Sequence, residues 1–103
     1  MALALDLRVG TIVRVEAFPE ARKPAYKLWI DLGELGEKTS SAQITQLYTP
    51  DQLVGRQVVC AVSLPPKRIG PFTSEVLVTG VDTPNGVVLL ALERPVQNGG
   101  QIF

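Results

Sequence analysis

Arg56-Gln57-Val58-Val59-Cys60-Ala61-Val62-Ser63-Leu64-Pro65-Pro66-Lys67-Arg68-Ile69-Gly70-Pro71-Phe72-Thr73-Ser74-Glu75-Val76-Leu77-Val78-Thr79-Gly80 reads as strand, rigid basic turn, strand. Both flanks are rich in valine, whose branched side chain packs well on a pleated sheet. Between them Pro65, Pro66 and Pro71 fix the backbone and withhold amide donors, so the middle cannot continue a central sheet. Lys67, Arg68, Ile69 and Phe72 are thereby held out on a stiff loop. A connection that only meets water has use for the two cations but not for the two large apolar side chains. The loop is therefore read as a binding surface carried between two strands.

The flanking sequence sets the class of the fold. Strict alternation from Arg8 puts Val9, Thr11, Val13 and Val15 on one face of a strand and Arg8, Ile12, Arg14 and Glu16 on the other. Gly10 inside it permits a bulge or tight bend. Phe18 to Pro24 is a proline-bounded loop carrying Arg22 and Lys23. A second strand follows, with Leu28, Ile30 and Leu32 opposed to Lys27, Trp29 and Asp31. After a glycine-bounded turn, Lys38 to Ile44 forms a polar third strand. Thr49-Pro50-Asp51-Gln52-Leu53 has an N-cap residue before proline at the first helical position, and Gly55 ends the turn.

Beyond the opening stretch, Thr83-Pro84-Asn85-Gly86 is a turn signal. Val87 to Leu92 is apolar on both faces and needs cover on both, from the chain itself or from a second subunit. The tail from Pro95 ends in a last short strand at Ile102-Phe103. About five principal strands with a helical turn between the third and fourth predict an all-β, five-stranded Greek-key barrel of the OB type, with terminal extensions, as one domain over residues 1–103. The helix after the third strand separates this from an SH3-like barrel.

Composition limits the function. Ten basic residues balance ten acidic ones, so any electrostatic site is local rather than global. There is no histidine and one cysteine, which removes the commonest general base, any intramolecular disulfide and any cysteine-based metal cluster. Cys60 aligns with Val58, Val62 and Leu64 and is read as a buried, inert thiol. Ser74 and Glu75 point to opposite strand faces and form no nucleophile–base pair. Asp31, Glu34 and Glu37 lack calcium-loop spacing. The expectation is a protein that is not an enzyme, with no catalytic residues, metal or cofactor. The opening Met1 to Asp6 is too short for a signal peptide and lacks a basic lead, and no apolar run is long enough to insert in a membrane, so a cytoplasmic location is expected.

Asp6-Leu7-Arg8-Val9-Gly10-Thr11-Ile12 resembles the opening of the stand-alone tRNA-binding domain, an OB-fold also found attached to methionyl- and phenylalanyl-tRNA synthetases. Within that family, Phe18 to Ala25, Ser40-Ser41-Ala42-Gln43-Ile44, Pro65 to Ile69 and Ser74 to Val78 resemble the CsaA branch, small dimeric bacterial proteins associated with protein secretion and chaperone activity. The family pattern opens its basic turn with Asn-Leu and ends in Met. Here Ser63-Leu64 and Leu77 stand at those places, and the leucine is the one shared with the CsaA branch.

The resemblance implies a chaperone assisting secretion by binding exposed segments of unfolded or precursor proteins. Its alternative is a module binding structured RNA such as tRNA. The residues put forward for contact with peptide or RNA are Lys67, Arg68, Ile69, Phe72, Ser74 and Leu77, with Arg22, Lys23 and Lys27 as an auxiliary basic patch. The expected partners are a second copy of the chain, unfolded or precursor proteins, the secretion machinery and tRNA. Trp29 could stack a base, meet a second subunit or lie under a loop.

Overall fold

The computed structural model describes residues 4–103, so Leu3 and the start of the apolar arm lie outside the described residues. β1 (Leu7–Ala17), β2 (Tyr26–Asp31) and β3 (Glu37–Ala42) form an antiparallel meander, and β4 (Gln57–Ala61) pairs with the first half of β1. A short helix, α1 (Pro50–Leu53), bridges β3 and β4, as the proline and N-cap predicted. The Thr49 N–H donates to Gln52 Oε1 at 3.0 Å, and Gly55 leaves the helix at φ 88°.

The second half of the decisive stretch departs from two strands joined by a loop. The predicted basic turn is itself a hairpin, β5 (Lys67–Ile69) and β6 (Phe72–Ser74), followed by β7 (Leu77–Val78) on β4. The prolines allow this because none occupies a position whose amide the ladder uses. Pro65 and Pro66 precede β5, and Pro71 lies in the two-residue turn behind Gly70, whose φ of 55° suits the first place of a hairpin turn.

The sheet runs β3-β2-β1-β4-β7 and closes nearly into a barrel. The seam between β7 and β3 is irregular: the amides of Glu75 and Val76 both donate to Thr39 O, at 2.8 and 3.1 Å. This five-stranded architecture is the predicted OB-like barrel. Its core includes Ile12, Leu28, Ile30, Leu32, Leu53, Val58 and Cys60, all essentially inaccessible.

The alternation drawn for β1 needs correction. Val13 has no partner in β2, because the register shifts between Ile12 and Arg14. This bulge reverses the phase of everything after it. Ile12 faces the core before it, Val15 packs against the core after it, and Val13 is exposed. Gly10 does not host the bulge. It is where Ile30 and Leu32 approach β1 so closely that a β-carbon would meet Leu32 Cδ2 at 2.8 Å. Val9, on the other face, is buried beneath the C-terminal tail: Val9 N–H donates to Gly100 O at 2.9 Å and Gly99 N–H to Val9 O at 2.7 Å.

The tail's last strand, β10 (Gln101–Ile102), pairs with Leu7 and Arg8. The run Val87 to Leu92 is strand only in part. β8 (Gly80–Thr83) and β9 (Gly86–Leu89) make a separate hairpin, tied to the barrel where the Leu89 N–H donates to the Tyr48 hydroxyl at 3.0 Å. Val87 and Leu89 turn toward the core, while Val81 and Val88, directly opposite each other, remain exposed with Leu90.

Burial raises the Cys60 thiol from 9.0 to about 12, so the reactive thiolate is scarce in the folded protein. The folded state resists ionisation that the unfolded chain undergoes near pH 9. Stability from this group is therefore complete below pH 9 and is lost as pH rises toward 12. Thiol labelling at neutral pH is expected to be slow in native protein and prompt in denaturant. Prompt native labelling would refute the register of β4.

Candidate ligand-binding site

The β5–β6 hairpin is laid on the outside of the barrel rather than projected from it. Ile69 pairs with Phe72 and Lys67 with Ser74, so these four side chains share one face. Phe72 packs edge-on against Phe18 at 5.5 Å and Trp29 at 5.9 Å between ring centroids. Lys27 Nζ lies 4.9 Å from the Phe18 ring and 5.6 Å from that of Phe72. Arg14 covers Trp29 at 4.4 Å and pairs with Glu16. Trp29 is thus half-buried, with a guanidinium over its ring and Phe72 of the hairpin packed edge-on beside it.

Polar bonds fix the other end of the hairpin. Ser74 Oγ accepts the Ser41 N–H at 2.9 Å. The Thr39 hydroxyl shares its proton between Thr73 O at 2.7 Å and Glu75 Oε1 at 2.9 Å, and Thr39 N–H also donates to that carboxylate at 3.1 Å. Glu75, which has no catalytic partner in Ser74, therefore holds the hairpin base onto β3.

Two grooves flank β5 and share Ser41, Gln43, Lys67 and Ile69 as lining. One, of about 440 Å³, gathers Arg22, Lys23, Lys67 and Arg68 around a single carboxylate, Glu20. The other, of about 260 Å³, is walled by Leu64, Pro65, Val76 and Leu77, with Ser74 and Glu75 at its polar side. Leu77 is 51% exposed, so its side chain is open to a ligand in this groove.

The folded chain brings Lys67, Arg68, Ile69, Ser74 and Leu77 to these grooves and adds Arg22 and Lys23 from the loop after β1. Phe72 and Lys27 line neither and lie beneath the hairpin. Leu64, Pro65, Val76, Ser41 and Gln43 are lining residues that strand patterning did not single out. The family-like run Ser40 to Ile44 was the one signal for the last two. A further depression of about 290 Å³ lies between Arg8 and the tail, but Arg8 is already engaged by Asp6 at 2.7 Å and Gly99 O at 3.1 Å.

Residues 7–101 match the tRNA-binding domain family. The crystal structure of the chaperone CsaA from Bacillus anthracis superposes with a TM-score of 0.91 at 50% identity, covering 100% of this chain and 99% of that one. CsaA chaperone protein from Picrophilus torridus gives 0.92 at 46% identity, over 97% of this chain and 92% of that one. The methionine–tRNA ligase of Methanococcoides burtonii is 34% identical over 96 residues, which are 92% of this chain but 14% of the ligase. This chain thus spans about one-seventh of such ligases and matches a portion of them. With the barrel, the hairpin and full-length similarity in hand, the chain belongs to the tRNA-binding domain family and, within it, to the CsaA group.

Proposed function

We propose that this protein is a chaperone that binds exposed apolar segments of unfolded or precursor proteins and assists their secretion from the cytoplasm. The observation that carries this reading is the apolar groove of Leu64, Pro65, Ile69, Val76 and Leu77 beside a basic one. Apolar walls supply affinity for side chains that a folded client hides, and cations at the rim steer and orient. Phe72 belongs to the site as the apolar anchor of the hairpin, and Ser74 as its hydrogen-bonded base. The test is suppression of aggregation of a chemically unfolded model protein. Protection is expected to persist at physiological salt, and loss of protection as salt rises to that level would reject the reading.

The second reading is tRNA binding, favoured by the cations Arg22, Lys23, Lys67 and Arg68 around one groove. Phosphate contacts release counterions, so tRNA affinity would fall steeply with salt, and Lys67→Ala would make that dependence shallower.

The working form is a homodimer. Val81, Val88 and Leu90 present an exposed apolar face on one hairpin, and Leu77 adjoins the site. A two-fold partner would cover this face with the same face of its own. Sedimentation is expected to give a dimer at micromolar concentration, and Val88→Asp a monomer that retains its fold. Wild-type sedimentation as a monomer would exclude this arrangement.

A further inference from the structure

β5 pairs only with β6, so its other edge is free, and both grooves adjoin the strand. In a hairpin closed by a two-residue turn, Ile69 and Phe72 exchange backbone hydrogen bonds, and so do Lys67 and Ser74. The intervening pair, Arg68 and Thr73, then turns its N–H and C=O groups outward. The structure bears this out on the β6 side, where Thr73 O accepts the Thr39 hydroxyl at 2.7 Å instead of serving β5. By the same geometry the N–H and C=O of Arg68 point away from β6. Arg68 itself is exposed, its Nε donates to Gly70 O at 2.9 Å, and among the described residues no backbone group outside the hairpin bonds its N–H or C=O.

An unpaired strand edge is a template for another strand. Natural proteins blunt such edges with charges, and Lys67 and Arg68 would oppose a basic or neutral segment from this side. They would welcome one bearing a carboxylate. Charge complementarity therefore selects the occupant: four cations and one carboxylate surround the groove on one side of β5, and apolar walls form the groove on the other.

We propose that a client segment binds in extended form as a strand added to β5, pairing its backbone with Arg68, seating an apolar side chain against Leu64, Val76 and Leu77, and directing an acidic side chain to Arg22 and Lys23. This deepens the peptide-binding reading and rests on it. Backbone pairing supplies affinity without regard to sequence, which a chaperone for many clients requires, and the two grooves supply a preference for apolar residues beside acidic ones.

The test uses short fluorescent peptides with one apolar and one acidic half, in both orders, and fluorescence anisotropy with the whole protein. One order is expected to bind more tightly than the other and than a peptide with lysine in place of the acidic half. In a scan of single backbone N-methylations, one position is expected to cost about tenfold in affinity while its neighbours, whose amides point outward, cost little. Arg68→Pro removes the outward N–H that the hairpin does not use, and is expected to bind about tenfold more weakly than Arg68→Gln, which removes only the charge. Trp29 emission reports whether the hairpin remains docked in each variant.

A flat methylation scan with peptide still bound overturns strand addition and leaves the peptide reading standing. Equal binding of acidic and lysine-substituted peptides overturns the charge preference. No binding of any peptide, with salt-sensitive binding of tRNA, overturns both this inference and the peptide reading.

Discussion

Phe72→Ala is expected to weaken protection of unfolded clients about tenfold while the barrel stays folded. The ring touches Phe18 and Trp29, and is absent from the barrel core built around Ile12, Leu28 and Ile30. Full burial of such a side chain is worth on the order of 1.5–3 kcal/mol, and a half-buried one contributes less. That is little beside the stability of the barrel but much for an eight-residue hairpin whose other attachments are polar bonds at its base. Without the ring, β5 and β6 must be ordered each time ligand binds, and affinity falls by that cost. Trp29 loses its neighbour as well, so its emission should change in the free protein. Phe72→Leu should restore most of the binding, because an apolar anchor is what the hairpin needs. Lys67→Ala, by contrast, should reduce client protection less at physiological salt. The reverse order of the two variants would favour RNA as the ligand, and unchanged binding of both ligands in both folded variants would mean that the hairpin is only a connection.

The second large effect is at Gly33, where the turn after β2 meets the C-terminal tail. Gly33→Ala is expected to destabilise the fold by roughly 3 kcal/mol, through strain and a collision with backbone. Gly33 has φ 67°, which a residue with a β-carbon adopts at a cost. The added carbon would overlap Asn98 O and lie 2.9 Å from Asn98 C, so the tail has to move. Asn98 is held by polar bonds that such a shift would break: its Oδ1 accepts from the Thr11 hydroxyl at 2.8 Å and from Gln57 Nε2 at 3.1 Å. Hydrogen exchange should therefore accelerate at Val9 and Gly99, whose amides bind tail and β1 together, and at β10. Denaturation with a midpoint unchanged from wild type would show that the tail does not depend on this close approach. Client binding should be spared in the folded fraction, since the grooves at β5 are built from other elements.

The barrel class was legible in the chain because strand patterning and local turn chemistry agree. Leu28, Ile30 and Leu32 alternate with Lys27, Trp29 and Asp31, Thr49-Pro50 opens a helix, and Cys60 lies in line with valines, and each finds its expected place. These features depend on residues close in sequence, and local propensity decides them. The charged and apolar groups of the turn were also visible as a candidate site, because a plain solvated loop has no use for large apolar side chains such as Ile69 and Phe72.

Contacts between distant segments settled the rest. The bulge at Val13 reverses the faces of β1, and it arises from pairing with β2, which alternation within β1 cannot reveal. Ser40, in a strand that reads as polar, is fully buried with no hydrogen-bond partner for its hydroxyl among the described residues, because the barrel closes over it. Phe72, put forward as a ligand contact, also packs against Phe18 and Trp29, which come to it from just beyond β1 and from β2. The basic groove joins the loop after β1 to strand β5, more than forty positions away, and the apolar groove takes Leu64 and Val76 from either side of the hairpin. The sequence determined that this chain forms a small barrel with a basic, apolar turn. Only tertiary packing decided which side of that turn is anchored and which is left free, because that choice rests on partners the local sequence does not contain.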